Sequence, residues 1–95
     1  MKRKPAKTKR VRLDPSQASM DAIYTHLQRA LAFPDHFGRN LDALWDVMHD
    51  VPGPIEIRWK EHAQARTQLG EKFDALIVLF RDLENERSDF KLVLE

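Results

Sequence analysis

Three short runs of two-residue apolar period constrain this chain more than any other feature in its 95 residues. Lys9-Arg10-Val11-Arg12-Leu13, Ile55-Glu56-Ile57-Arg58-Trp59 and Phe90-Lys91-Leu92-Val93-Leu94 each read as a strand. The stretches between them carry helical spacing instead. Ser19 is placed to cap a helix whose apolar residues are Met20, Ile23, Leu27, Ala30 and Leu31. Phe33-Pro34 should end it, because the residue before a proline disfavours the α region. Asn40 is placed to cap a second helix. A polar helix over 60–69 should stop at Gly70, and a longer one over 71–86 presents Phe73, Leu76, Ile77, Phe80 and Leu83. Strands joined only through helices cannot form tight hairpins, so the crossovers imply parallel neighbours. The expected class is α/β, a small three-stranded parallel sheet packed with about four helices. Charges on the outer positions of 55–59 suit an edge strand, or one covered on one side only.

The second helix is unusual in its surface. Stepping about 100° per residue from Asp42 places Asp46 and Asp50 within roughly 80° of it, with His49 alongside. Leu41, Leu44, Trp45, Val47 and Met48 occupy the opposite face. Like charges four residues apart cost a helix about 0.2–0.5 kcal/mol per pair, and Asp50 also opposes the helix dipole at the C-terminal end. A carboxylate row retained against those costs points to a cationic partner. Gly38, just before the cap, suits a chain reversal with positive φ. Trp45 lies at the rim of the apolar face and Trp59 belongs to the core or sheet cover. His26 and His62 read as surface residues of polar helices.

Charge is segregated along the chain. Residues 1–12 hold seven basic side chains and no acid, whereas 13–95 hold nine basic and fifteen acidic, a net of −6. Residues 1–8 read as a disordered basic tail and 9–95 as one domain. The absence of cysteine removes disulfides, thiolate metal sites and cysteine nucleophiles. No apolar run approaches a membrane span, so the cytoplasm is the default location. Asp42, Asp46 and His49 share one face, yet a metal site needs ligands from facing elements. The three glycines are isolated, with no phosphate loop and no nucleophile elbow, so the chain reads as neither an enzyme nor a binder of any cofactor or metal.

The run Leu31-Ala32-Phe33-Pro34-Asp35-His36-Phe37-Gly38-Arg39-Asn40-Leu41-Asp42-Ala43-Leu44-Trp45-Asp46 resembles the signature of the barstar family, intracellular inhibitors of a secreted bacterial ribonuclease. The resemblance continues through 55–59, Phe80-Arg81 and the last strand, covering roughly 11–95. It implies a three-stranded parallel sheet with helices, the class expected above. It also implies an inhibitor of antitoxin or immunity type that plugs a basic ribonuclease active site with its acidic helix and the preceding loop. By position, Asp46 would replace a substrate phosphate among the enzyme's basic groups and Asp42 would pair with another basic side chain. The family's glutamate on the long helix falls on Asp82, one methylene shorter, and its loop aromatic falls on His36. Gly38, Asn40 and Trp45 match the pattern and place the helix. The implied partner is a basic extracellular or toxin ribonuclease of barnase-like kind, met by an inhibitor that is monomeric when free. A different class of reading makes the chain a nucleic-acid-associated regulator, in contact with its partner weakly through residues 1–12.

Overall fold

The computed structural model of the chain describes residues 7–95. The elements follow the expected order: β1 (Lys9–Leu13), α1 (Met20–Leu31), α2 (Leu41–Asp50), β2 (Ile55–Trp59), α3 (His62–Leu69), α4 (Glu71–Glu86) and β3 (Phe90–Leu94). The anticipated tail over 1–8 lies mostly outside the described residues, and Lys7 and Thr8 lead into β1 without regular structure.

The strands form one parallel sheet in the order β1-β2-β3. β2 is therefore central, and its charged alternate positions mark a sheet covered on one side, not an edge. Val11, Leu13, Ile55, Ile57, Trp59, Phe90 and Leu92 face the helices and are buried. Leu27 of α1, Leu44 and Met48 of α2, and Leu76, Phe80 and Leu83 of α4 close over them and are fully buried. Among the described residues no charged side chain is buried, so apolar contact alone makes the core. Trp59 is fully buried with its indole N–H unpartnered, leaving one desolvated donor at the centre.

Local chemistry sets the boundaries. Ser19 accepts a hydrogen bond from the Ala22 N–H at 3.1 Å and so caps α1. α1 stops at Leu31, before Phe33-Pro34, because Ala32 takes a left-handed conformation (φ 55°). The Ala32 and Phe33 N–H groups both donate to the Gln28 carbonyl, using up the last turn's acceptor without glycine. α3 begins at His62, two residues later than its pattern suggested, because Glu61 is also left-handed (φ 53°). Gly70 (φ 61°) ends α3 as expected. On α4 the buried stripe includes Leu79, while Ile77 is half-buried; on α1 Ala30 is exposed and Tyr24 takes its place in the core.

Candidate functional site

α2 presents its acidic row to solvent because both of its ends are pinned from behind. At the start, the Asn40 side-chain oxygen accepts from the Ala43 N–H at 2.8 Å. The preceding loop is tied to α1 in two ways. Phe37 is buried edge-on against Phe33 and Tyr24, at 5.0 and 5.7 Å between ring centroids. The Arg39 guanidinium donates to the Asp21 carbonyl (2.9 Å), the Asp21 carboxylate (2.6 Å), Thr25 Oγ1 (2.9 Å) and Gln28 Oε1 (3.3 Å). The positive φ expected of Gly38 falls instead on Arg39 (φ 52°). Glycine at 38 relieves a close approach instead: a Cβ there would lie 3.2 Å from the Ala43 Cβ, tighter than ordinary van der Waals contact.

At the other end, Arg87, the residue just past α4, reaches back to α2. It donates to the carbonyls of Met48 (2.6 Å) and Val51 (2.8 Å) and forks onto Asp89 with two 2.8 Å bonds. Those carbonyls belong to the last turn of α2, where a helix has acceptors without internal partners. The fork also explains Gly53, since a Cβ there would come within 2.2 Å of the Asp89 carboxylate.

Held this way, α2 buries Leu44 and Met48, half-buries Leu41, Trp45 and Val47, and exposes Asp42, Asp46 and Asp50. Three depressions flank it. His36, Gly38, Asp46 and Asp50 line a groove of about 280 Å³ with an apolar floor of Phe37, Ala43 and Val47. Trp45 and Asp82 border a second of about 500 Å³, together with Asn85 and Glu86. Asn40 and Asp42 edge a third of about 480 Å³ beside Tyr24, Arg39 and Lys72. The structure therefore brings His36 to Asp46, and Asp82 to Trp45, across sequence gaps that no local pattern bridges. Trp45 is braced edge-on by His49 at 4.5 Å, whose Nδ1 lies 2.7 Å from the Trp45 carbonyl and whose Nε2 lies 4.0 Å from Glu86.

Two residues that the sequence reading did not name for the partner join this surface. Asp50, read there as a helix-end residue, shares the groove of Asp46. Glu86 sits one turn beyond Asp82 on α4 and extends the carboxylates past Trp45. The i, i+4 spacing of Asp82 and Glu86 was a signal for the second. Glu84, between them, turns the other way: its carboxylate accepts the Leu92 N–H of β3 at 2.9 Å. Five carboxylates thus gather on one side of the molecule around a half-buried tryptophan. Such a surface offers hydrogen-bond acceptors to guanidinium, ammonium and imidazolium groups. Among the described residues no three potential ligands converge as a metal-binding group, and no helix is long and apolar enough to cross a membrane.

Comparison with known proteins shows the family to which this chain is related. Residues 8–95 match the family model described as "Barstar (barnase inhibitor)". The chain is also similar to a protein of Bacillus subtilis (strain 168) named "Putative ribonuclease inhibitor YrdF", with 33% identity over 79 residues. That match spans 81% of this chain and 87% of the relative.

Proposed function

The chain belongs to the barstar family, and from that premise we propose that it is a ribonuclease inhibitor of antitoxin or immunity type, not an enzyme. The observation that carries the reading is the exposed carboxylate row of α2 standing over grooves lined by His36 and Trp45. A ribonuclease binds a polyanion, so its active site concentrates positive charge. Asp46, at the centre of the row, replaces a phosphate there and accepts hydrogen bonds from the enzyme's cationic side chains. Asp42 meets a further basic group toward the start of α2, and Asp82 with Glu86 does so across Trp45. His36 stacks at the opposite wall. Gly38 and Asn40 act indirectly, by setting the angle at which α2 leaves the loop. The partner is a basic ribonuclease of barnase-like, extracellular or toxin type, and the inhibitor acts in the cytoplasm as a monomer until it binds.

The test is calorimetric titration against candidate basic ribonucleases at two salt concentrations, with inhibition of RNA cleavage followed in parallel. Binding should weaken and slow as salt rises, because complementary fields steer the encounter. Asp46→Ala strands buried cations in the enzyme and should cost about 3–5 kcal/mol of affinity. Asp50→Ala, at the end of the row, should cost less than about 1 kcal/mol. Tight binding that ignores both salt and Asp46→Ala would overturn the mechanism.

A further inference from the structure

Trp45 is not held by the core alone. Its half-buried ring is packed edge-on by the imidazole of His49, with ring centroids 4.5 Å apart and planes at 72°. The imidazole in turn meets an oxygen at each nitrogen. Nδ1 lies 2.7 Å from the Trp45 carbonyl, one turn back on α2, and Nε2 lies 4.0 Å from the Glu86 carboxylate on α4. A carbonyl only accepts, so Nδ1 carries the hydrogen of the neutral ring and Nε2 keeps its lone pair. That lone pair faces a carboxylate, which is an acceptor too. The contact at Nε2 is therefore unmatched while His49 is neutral, and becomes an ion pair when Nε2 takes a proton.

Both partners of that contact are open to solvent, His49 with 32% of its side chain exposed and Glu86 with 59%. The other charged groups around the ring come from two places. On and just past α4 stand Asp82, across Trp45, and Arg87, whose guanidinium donates to the Met48 and Val51 carbonyls of the same turn of α2. On α2 itself, Asp46 lies nearly one turn before His49 and Asp50 directly after it. The imidazole thus stands inside the carboxylate surface, and its two protonation states differ by one positive charge placed there.

We propose that His49 is a positioning residue for Trp45 and a proton-dependent control on the acidic surface, an inference that rests on the reading of that surface as the site for a basic ribonuclease. Neutral His49 braces the Trp45 ring and leaves the Glu86 carboxylate open to the partner. A proton at Nε2 gives that nitrogen a hydrogen to donate to Glu86, so the carboxylate is engaged within the molecule. It also sets a cation where a cationic partner docks. The complex then holds fewer protons at this position than the free chain, and affinity falls as pH falls. Imidazole suits this control because it is the side chain whose charge ordinarily changes between about pH 5 and 8.

The experiment has two arms, with urea melts at both ends of the pH range to check that each variant is folded. The first uses the free chain and follows tryptophan emission from about pH 8 to about pH 5. An imidazolium against an indole quenches emission more strongly than the neutral ring, because it accepts an electron more readily. The parent should show a downward step, and the step should vanish in His49→Phe and in Trp45→Phe. His62 meets Phe73, which separates it from Trp59, and is the same in all three proteins.

The second arm measures affinity for a basic ribonuclease at the two ends of the range by calorimetry. The parent should lose roughly three- to fivefold more affinity than His49→Phe as pH falls, the scale of one exposed charge. At about pH 8, His49→Ala removes the brace and should bind roughly threefold more weakly than the parent, while His49→Phe keeps a ring against Trp45 and should recover most of that loss. His36 and the partner's own groups titrate in parent and variants alike, so the difference belongs to His49. The proposal is overturned by a parent without an emission step, by a step that persists in His49→Phe, or by pH profiles of affinity that coincide for the two. A chain that binds no basic ribonuclease at either pH overturns the reading of the surface and the control of affinity with it, while the emission arm still decides whether His49 acts on Trp45.

Discussion

At the scale of single residues, side chains behind α2 decide as much as those in front. Arg39 occupies a left-handed conformation that costs an ordinary residue about 1–2 kcal/mol, and its four hydrogen bonds to α1 offset that cost. Arg39→Ala keeps the strain and loses the bonds, so it should destabilise the fold by about 1–2 kcal/mol in urea melts. Arg39→Gly removes the strain as well and should recover roughly half of that. If the two variants are equally stable, the conformation is not what the arginine sustains. Asp82 offers the complementary case at the proposed partner surface. It borders the Trp45 depression with a short side chain, and Asp82→Glu adds one methylene of reach. Inhibition by Asp82→Glu should match or exceed the parent, whereas Asp82→Ala should weaken it by up to about 1 kcal/mol. That Asp42 and Asp46 share one exposed face of α2 and that Asn40 caps it was legible from spacing alone, because one helix keeps them together. The grouping of His36 with Asp46 was not, because it depends on how the loop folds back.

At the scale of elements, α2 is held at its C-terminal end by the side chain that follows α4. Arg87 supplies donors to two carbonyls that α2 cannot satisfy itself, and its side chain is only 13% exposed. Arg87→Ala should cost about 2–3 kcal/mol and speed hydrogen exchange at the Val51 amide, which bonds to the Val47 carbonyl in that turn. Arg87→Lys should rescue little, because an ammonium cannot form the fork onto Asp89 while reaching both carbonyls. A comparable device covers the free edge of β3, where Arg81 lies 3.4 Å from the Leu92 carbonyl and Glu84 accepts the Leu92 N–H. Occupied edge groups make poor templates for another strand. The ties made by Arg81, Glu84 and Arg87 could not be read from the sequence, since spacing along α4 says nothing of which backbone groups lie opposite.

At the scale of the whole molecule, the folded state is tuned against acid. Hydrogen bonds from Arg87 hold the Asp89 carboxyl below its usual range, and a hydrogen bond from Arg58 does the same for Glu56. For Glu84, burial pushes the carboxyl up, but the Leu92 N–H and Arg81 together outweigh it and the net direction is down. A carboxyl with a lower pKa folded than unfolded contributes stability above its unfolded value and loses it as pH falls through the folded one. Stability should therefore be nearly level from about pH 5 to 8 and fall away below about pH 4, followed by urea melts across that range. In Arg87→Ala the acid limb should be shallower, because Asp89 then titrates nearer its unfolded value. An acid limb unchanged by that substitution would remove Asp89 from the account. The exposed carboxylates of α2 lie on the helical side of the sheet and Arg10, Arg12, Arg58 and Lys91 on its other side, a separation hidden by the net charge of +1.

The strand and helix order, the parallel sheet and the carboxylate row of α2 were determined by the sequence alone. Each rests on periodicity within one segment or on the length between segments, which contacts elsewhere do not alter. The helix ends at Ala32 and Glu61, the positive φ at Arg39 in place of Gly38, and the arginine ties behind α2 were decided by tertiary structure. Those features depend on which backbone groups become neighbours once the core has closed. The open sheet face belongs to both kinds: its charges are written in the strands, but that no helix covers them emerges only when all four helices have packed on the other side.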